Sequence, residues 1–555
     1  MTKNTTVNAS ATTDYDVLIV GAGWAGMMGL YRMRQLGLRT RVIEAAGDVG
    51  GTWYWNRYPG ARCDVESIHY SYSFSEELQQ EWTWTERYAA QPELLAYARH
   101  VADRFSLRQD ITFNTRVDSA VFNEQDNTWA VRTDGGATLT ARFCIMATGV
   151  LSAPKPLDIP GMESFGGEVY NTYDWPEGGV DFTGKRVAVI GTGSSGIQTI
   201  PEVAQDAEHL YVFQRTPSYS LPAHNRPLTP EEIETTKRDY PKLRARARES
   251  FDGLLAETTG LSALEVDPQE RERIYHEAYK QGLPFQFMSM FTDIALDQEA
   301  NATAARFVAE RIRERVGHAP IADALIPTSY PFATRRLCID TNYYETFTRD
   351  NVTLVDLLQD PITAITATGV VTGEQAYEVD CIILATGFDA ITGALNRMDI
   401  RGRDGLTVKE KWADGARSYL GVAMAGFPNL FTVTGPQSPS VLSNMMVSIE
   451  QHVDWITDCL RHLHEHDIDC IEATAEAEDQ WVTHAREISE HTLFPLSNSW
   501  YLGANVPGKP HVVLPYLGGV GTYRQLATEI AQDGYRGFAL HSTDTSPTAD
   551  TAAVV

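Results

Sequence analysis

Two short apolar runs, each ending in the pattern G-x-G-x-x-G, constrain this chain more than any other feature. Asp16-Val17-Leu18-Ile19-Val20 leads into Gly21-Ala22-Gly23-Trp24-Ala25-Gly26, and Arg186-Val187-Ala188-Val189-Ile190 leads into Gly191-Thr192-Gly193-Ser194-Ser195-Gly196. Each reads as a buried parallel strand, a glycine turn and a helix start, because β-branched runs without alternation suit strands covered on both faces. Met27, Leu30, Met33 and Leu36 continue the first helix at helical spacing until Gly37 stops it. A helix N-terminus offers unpaired N–H groups and partial positive charge, so such a turn suits a pyrophosphate. The expected fold class is therefore α/β, with two dinucleotide-binding (Rossmann-like) domains about 170 residues apart.

A lone glycine turn is a weak signal; the residue ending the next strand sharpens it. After the first turn, Val42-Ile43 ends in Glu44, 18 residues beyond Gly26. A carboxylate there accepts hydrogen bonds from ribose hydroxyls and repels a 2′-phosphate, which favours FAD or NAD over NADP. After the second turn, Tyr211-Val212-Phe213-Gln214 ends in Arg215-Thr216, and Arg215 lies 19 residues beyond Gly196. A guanidinium there pairs with a 2′-phosphate, so the second unit is expected to take NADPH.

Two strand-like segments share a further echo, Ile145-Met146-Ala147-Thr148-Gly149 and Ile382-Ile383-Leu384-Ala385-Thr386-Gly387. They resemble the strands that, in two-dinucleotide flavoproteins, hand the chain from one domain to the other, and that resemblance implies crossings near 150 and 387. The expected FAD-binding domain is then discontinuous, 14–150 with 388–540, around an NADP-binding domain of 151–225 with 326–387. Between 226 and 325 the texture turns charged and helical. Thr229-Pro230-Glu231-Glu232 has the N-cap, N1 proline and N3 glutamate of a capped helix, and Asp267-Pro268-Gln269-Glu270 repeats that signature. Ala304, Phe307, Val308, Ile312 and Val316 mark one face of a third helix. This stretch is expected to be a helical insertion, serving as lid or scaffold. Residues 1–13 and 541–555 are polar or small and are expected to be tails.

Composition narrows the partners. Forty-six Lys and Arg against 73 Asp and Glu give a net charge of −27, which disfavours nucleic acid and anionic membrane surfaces. No apolar run is long enough for a membrane span. Cys63, Cys144, Cys338, Cys381, Cys459 and Cys470 are scattered without a C-x-x-C pair, which points to a reducing, cytoplasmic setting and against a disulfide reductase. The chain is expected to be a monomer with small-molecule partners only. His462, His464 and His466 invite a metal reading, but no acid–histidine pattern supports it, so no metal is expected.

Gly51-Thr52-Trp53-Tyr54-Trp55-Asn56-Arg57-Tyr58-Pro59-Gly60-Ala61-Arg62-Cys63-Asp64 fits the fingerprint G-x-W-x4-[FY]-P-G-x3-D throughout. Phe165 to Pro176 fits a second, F-x-G-x3-H-x3-W-[PD], except that Asn171 stands where histidine belongs. With these motifs the chain resembles the type I Baeyer–Villiger monooxygenases over nearly its whole length, phenylacetone and steroid monooxygenases above all. The segments around Pro331–Leu337, Gly435–Met445 and Ser499–Lys509 support the likeness.

The resemblance implies that NADPH reduces FAD and that the reduced flavin captures O2 as a C4a-peroxide. The peroxide then attacks a ketone through a tetrahedral adduct, giving an ester or lactone. It assigns Arg336 as the catalytic arginine, oriented by Asp64. FAD contacts fall to the first glycine turn, Glu44, Gly51, Thr52, Trp53, Trp55, Asp64, Val65, Tyr70, Val117 and Met445. NADP contacts fall to Asn171, the second glycine turn (Gly191, Thr192, Gly193, Ser194, Ser195, Gly196), Arg215, Thr216, Arg335, Arg336 and Trp500. Ser440, Val441 and Leu442 resemble a substrate-lining loop.

Other readings stay open at this point. One is a flavin oxygenase acting on amines or sulfides, which the Trp175-Pro176 ending argues against. Another is an uncoupled NADPH oxidase, which the missing histidine keeps alive. A non-catalytic flavin-bound redox sensor would predict loss of the cofactor or arginine motifs, and both are present.

Overall fold

The computed structural model describes residues 13–155 and 157–542. The tails expected at 1–13 and 541–555 lie almost wholly outside the described residues.

Two sheets, each built on a core of parallel strands, organise the chain. In the first, β1 (Tyr15–Val20) is followed by helix α1 (Trp24–Gln35) and β2 (Thr40–Ile43). β1 lies between β2 and the strand Thr138–Met146, parallel to both, with Val20 opposite Ile43 on one side and Met146 on the other. Ile111–Thr112 extends the sheet beyond β2, and an antiparallel ladder of 117–123 and 128–133 runs off Thr138–Met146. Strands from much later in the chain complete it: Leu430–Thr432 pairs with Thr138–Met146, and Asp399–Arg401 pairs with 117–123.

The second sheet repeats the arrangement. β3 (Arg186–Ile190) is followed by α2 (Ser194–Asp206) and β4 (His209–Gln214). β3 lies between β4 and β5 (Cys381–Leu384), all parallel, with Val352–Asp356 and Glu168–Asn171 at the two edges. Val17, Leu18 and Ile19 are fully buried, as are Val187, Ala188 and Val189, because helices and loops cover both faces of each sheet. Burying a valine, leucine or isoleucine side chain contributes about 1.5–3 kcal/mol.

The stretch from 226 to 325 is helical, with helices Pro230–Glu249, Pro268–Gln281, Pro284–Ser289, Gln298–Val316 and Ala319–Leu325. Thr229 accepts from the Glu232 N–H at 3.2 Å while Glu232 accepts from the Thr229 N–H at 2.9 Å, a reciprocal cap. Asp267 caps its helix through the Gln269 N–H at 2.9 Å. Ala304, Phe307, Val308, Ile312 and Val316 are buried in one core with Val187, Val189 and Ile197, so this stretch shares the hydrophobic centre of the second sheet. It also reaches the first sheet's side, where Arg244 donates to the His69 carbonyl at 3.1 Å and to Ser71 Oγ at 2.6 Å.

The two passages of the chain between the sheets run side by side. Ile391 N–H donates to Val150 O at 2.8 Å, Asp389 N–H to Ala153 O at 2.9 Å, and Lys155 N–H to Gly387 O at 3.1 Å. Among the described residues, no helix is long and apolar enough to cross a membrane.

Candidate active site

The site grows out of the two glycine turns. Gly21 and Gly191 have φ of +104° and +112°, and a Cβ on either would meet the Ala147 or Ala385 carbonyl at 2.5 or 2.4 Å. The two Ala-Thr-Gly segments are therefore the walls against which the turns close. A Cβ on Gly26 would stand 1.8 Å from Gly21 O, and one on Gly196 would stand 2.3 Å from Gly191 O. The third glycine of each motif lets the helix start directly on its strand. At Gly193, by contrast, nothing lies within 4 Å of a Cβ position, and at Gly23 only Gly51 does. Helices α1 and α2 have no side-chain cap, whereas the helices at Thr229, Asp267 and Asp297 do. Uncapped N–H groups beside open backbone fit a pyrophosphate on both turns.

The strand ends differ in charge. Glu44 is buried after β2 and accepts from the Ala22 N–H at 2.5 Å and the Ala46 N–H at 2.7 Å. Burial raises its pKa and these N–H bonds pull it back. A carboxylate accepts at about four sites, so Glu44 braces the turn and retains capacity for a ribose. Arg215 is exposed after β4, and Thr216 O accepts from Thr192 Oγ1 at 3.2 Å, tying this strand end to the second turn.

Arg335 and Arg336 are consecutive and point to different places. Arg335 stacks on Tyr330, 4.6 Å from its ring centre, and donates to Asn498 O at 2.5 Å. Its Nε is buried without a hydrogen-bond partner. Arg336 forks across Asp64, with Nε to Oδ2 at 2.8 Å and Nη2 to Oδ1 at 2.6 Å. Its Nη1 donates to Val441 O at 2.9 Å, and Phe285 lies beneath the guanidinium at 4.9 Å. Burial works against the charge of Arg336, but Asp64 more than offsets this and raises its pKa. Tyr501, beside it, is pushed up to about 12 by burial, although the Arg336 charge pulls it down. It stays neutral.

The remaining residues named from the sequence fall into separate clusters. Trp24, Trp53, Val65 and Tyr70 share one core, with Ala25 and Met445 packed on it and Trp53 Nε1 donating to Tyr70 Oη at 3.3 Å. Thr52 is exposed at the start of a single helical turn, Thr52–Trp55. Val117 is not brought to that cluster; it is buried with Val20 and Ile43 in another. Val441 belongs to this second cluster, with Leu442 and Trp500 against it, and the buried Ser440 Oγ has no partner. Ser194 Oγ lies 3.1 Å from Cys338 Sγ. Ser195 is half-buried in the first turn of α2. Sequence reading missed Phe285, which has no motif around it and reaches Arg336 only through the fold of the helical stretch. It also missed Lys155. Among the described residues, no group of three or more His, Cys, Asp or Glu could hold a metal ion.

Comparison with known proteins decides the family. Residues 18–253 match the family described as "Pyridine nucleotide-disulphide oxidoreductase". The chain is 42% identical to the acetone monooxygenase (methyl acetate-forming) of Gordonia sp. (strain TY-5), over 96% of this chain and 100% of that one. It is equally 42% identical to a Baeyer–Villiger monooxygenase of Pseudooceanicola batsensis, over 94% of this chain and 95% of that one. The chain belongs to the Baeyer–Villiger monooxygenase family. Phenazine N-monooxygenase PhzNO1 of Lysobacter antibioticus is 41% identical over 96% of this chain and 98% of its own. The solved structure of oxidised steroid monooxygenase bound to NADP superposes with a TM-score of 0.91 at 50% identity, covering 95% of this chain and 99% of that one. The matched segment carries a disulfide-reductase label, while the six cysteines of the chain form no C-x-x-C pair and are all buried.

The two Baeyer–Villiger fingerprints meet in the fold. Trp175 N–H donates to Trp55 O at 3.4 Å, and Arg57 pairs with Glu177 at 2.8 Å. Tyr58-Pro59-Gly60 rests on α2: Tyr58 Oη donates to Gln198 Oε1 at 2.9 Å, and a Cβ on Gly60 would stand 2.3 Å from Gln198 O. The first fingerprint thus runs from the turn at Gly23 across to the second helix, then delivers Asp64 to Arg336. Asn171, at the fingerprint's histidine position, ends the edge strand Glu168–Asn171 opposite Leu384 and is half-buried.

Proposed function

We propose that this chain is an FAD- and NADPH-dependent monooxygenase that inserts one oxygen atom of O2 beside a ketone carbonyl, giving an ester or lactone. The Arg336–Asp64 fork is the observation that carries this reading. When bound, NADPH supplies hydride and FAD the centre that activates O2. Arg336 does the electrostatic work. Of its five N–H groups, three are taken by Asp64 and Val441 O, which leaves one on each terminal nitrogen. A fixed cation favours an anionic oxygen nucleophile over its protonated form, and then stabilises the negative charge that moves to the ketone oxygen. Asp64 sets the plane of the guanidinium, and Phe285 closes one face of it. Ser440, Val441 and Leu442 line the ketone's side.

The remaining assignments follow the two turns. FAD takes the first glycine turn and Glu44, with Gly51, Thr52, Trp53, Trp55, Asp64, Val65, Tyr70, Val117 and Met445. NADPH takes the second turn with Asn171, Arg215, Thr216, Arg335, Arg336 and Trp500. We assign the FAD domain to 14–150 with 388–540, the NADPH domain to 151–225 with 326–387, and 226–325 to an inserted scaffold. We read the chain as a monomer from its net charge of −27, and as cytoplasmic from cysteines scattered without a C-x-x-C pair.

Purified protein mixed with NADPH, O2 and a panel of linear and cyclic ketones is expected to yield esters or lactones. Hydrogen peroxide as the sole product would replace this reading with an NADPH oxidase. A second reading, N-oxygenation, draws on the likeness to a phenazine N-monooxygenase. Phenazine and tertiary amines in the same assay decide it, with N-oxide and no ester as the outcome that favours it.

Asn171 makes a separate prediction. Asparagine donates and accepts but never charges, while histidine titrates near pH 6.5. Asn171→His is expected to add a pH step between about 5.5 and 7.5 and to raise the ester formed per NADPH consumed. Unchanged coupling and an unchanged pH profile would remove any role for this position.

A further inference from the structure

Three basic side chains gather at the C-terminal edge of the second sheet. Arg215 follows β4, whose Phe213 carbonyl accepts from the Gly191 N–H at 3.1 Å, so this strand end flanks the glycine turn. Arg335 reaches the same edge through its platform: Tyr330 carries the guanidinium on its ring and donates its hydroxyl to Pro217 O at 3.1 Å. That carbonyl is two residues beyond Arg215. Lys155 arrives from the other side, on the passage paired with Gly387, two residues past the Ala385 carbonyl that walls the turn.

Arg215 acts as a like charge on each of the other two. Burial lowers the pKa of Lys155 and of Arg335, and in both cases the Arg215 charge lowers it further. Arg215 is thus within electrostatic reach of each. Among the described residues, none of the three pairs with a carboxylate, although many arginines elsewhere in this acidic chain do. Two half-buried cations beside an exposed third, without a counter-charge, disfavour the folded state unless an anion joins them.

We propose that Lys155 is the third cation of the site that receives the 2′-phosphate of NADPH, with Arg215 and Arg335. This rests on the NADPH reading above and assigns within it a residue that sets the preference over NADH. A phosphate monoester dianion presents three strong acceptor oxygens, enough for one contact from each cation.

Titrating the FAD-loaded protein with 2′,5′-ADP and with ADP isolates this end of the cofactor from catalysis. Lys155→Gln is expected to weaken 2′,5′-ADP about tenfold, the scale of one charge-assisted hydrogen bond, and to leave ADP unchanged. Lys155→Arg should restore most of the loss, and added salt should weaken 2′,5′-ADP less in Lys155→Gln than in the parent. If Arg215→Gln abolishes the preference for 2′,5′-ADP while Lys155→Gln leaves it intact, Lys155 is not part of the site. If the parent protein binds 2′,5′-ADP no better than ADP, the NADPH assignment itself is wrong.

Discussion

Arg336→Ala is expected to slow ester formation by a factor on the order of 10²–10³, the usual loss when one fixed oxyanion donor is removed. NADPH should still be oxidised, with hydrogen peroxide in place of ester, because the glycine turns and the Arg215 edge lie outside the deletion. The protein should remain yellow. Arg336→Lys should resemble alanine more than the parent, since an ammonium cannot span both oxygens of Asp64 and still reach Val441 O. Gas chromatography of the ester, run beside NADPH and peroxide assays, reads all three quantities. An alanine variant that makes ester at the parent rate would remove Arg336 from the chemistry.

The second large effect comes from a single methyl group. In Gly26→Ala the new Cβ would lie 1.8 Å from Gly21 O, an overlap that only a shift of α1 away from β1 can relieve. Such overpacking costs about 1–3 kcal/mol. The larger consequence is local, because the shift moves the uncapped N–H groups at Trp24 and Ala25 out of line with the turn. The variant should purify colourless or with strongly substoichiometric FAD, and its melting temperature should fall. Full flavin content at an unchanged melting temperature would mean that this turn does not hold the flavin. Gly196→Ala is the matched control, expected to spare the yellow colour and weaken NADPH.

Both glycine turns, their strands and the capped helices at Thr229 and Asp267 were legible in the sequence because each is a local pattern. A strand, a turn and a helix start are set by residues within a few positions of one another. The Ala-Thr-Gly echo was visible too, but its physical meaning came only with the fold: Ala147 and Ala385 carbonyls are the surfaces that exclude a Cβ at Gly21 and Gly191. What the sequence could not show was contact between distant segments. Asp64 and Arg336 are 272 positions apart and meet only once both sheets are in place. Without the family likeness neither residue would have stood out from the other charged residues. Phe285 had no such help. It lies in a stretch whose periodicity announces helices and says nothing of which ring will turn toward a guanidinium. Glu44 is an intermediate case: its place after β2 was readable, while its two bonds to the Ala22 and Ala46 N–H groups were not.

The paired passages at 150–155 and 387–391 have a mechanical consequence. A chain that passes once between two bodies leaves them free to swivel. Here it passes twice, and the two passes are laced together by backbone hydrogen bonds. A change in the angle between the sheets would have to bend both passages at once. Lys155 lies on the first of them. A dinucleotide whose 2′-phosphate Lys155 held, as proposed above, would be anchored beside both passages.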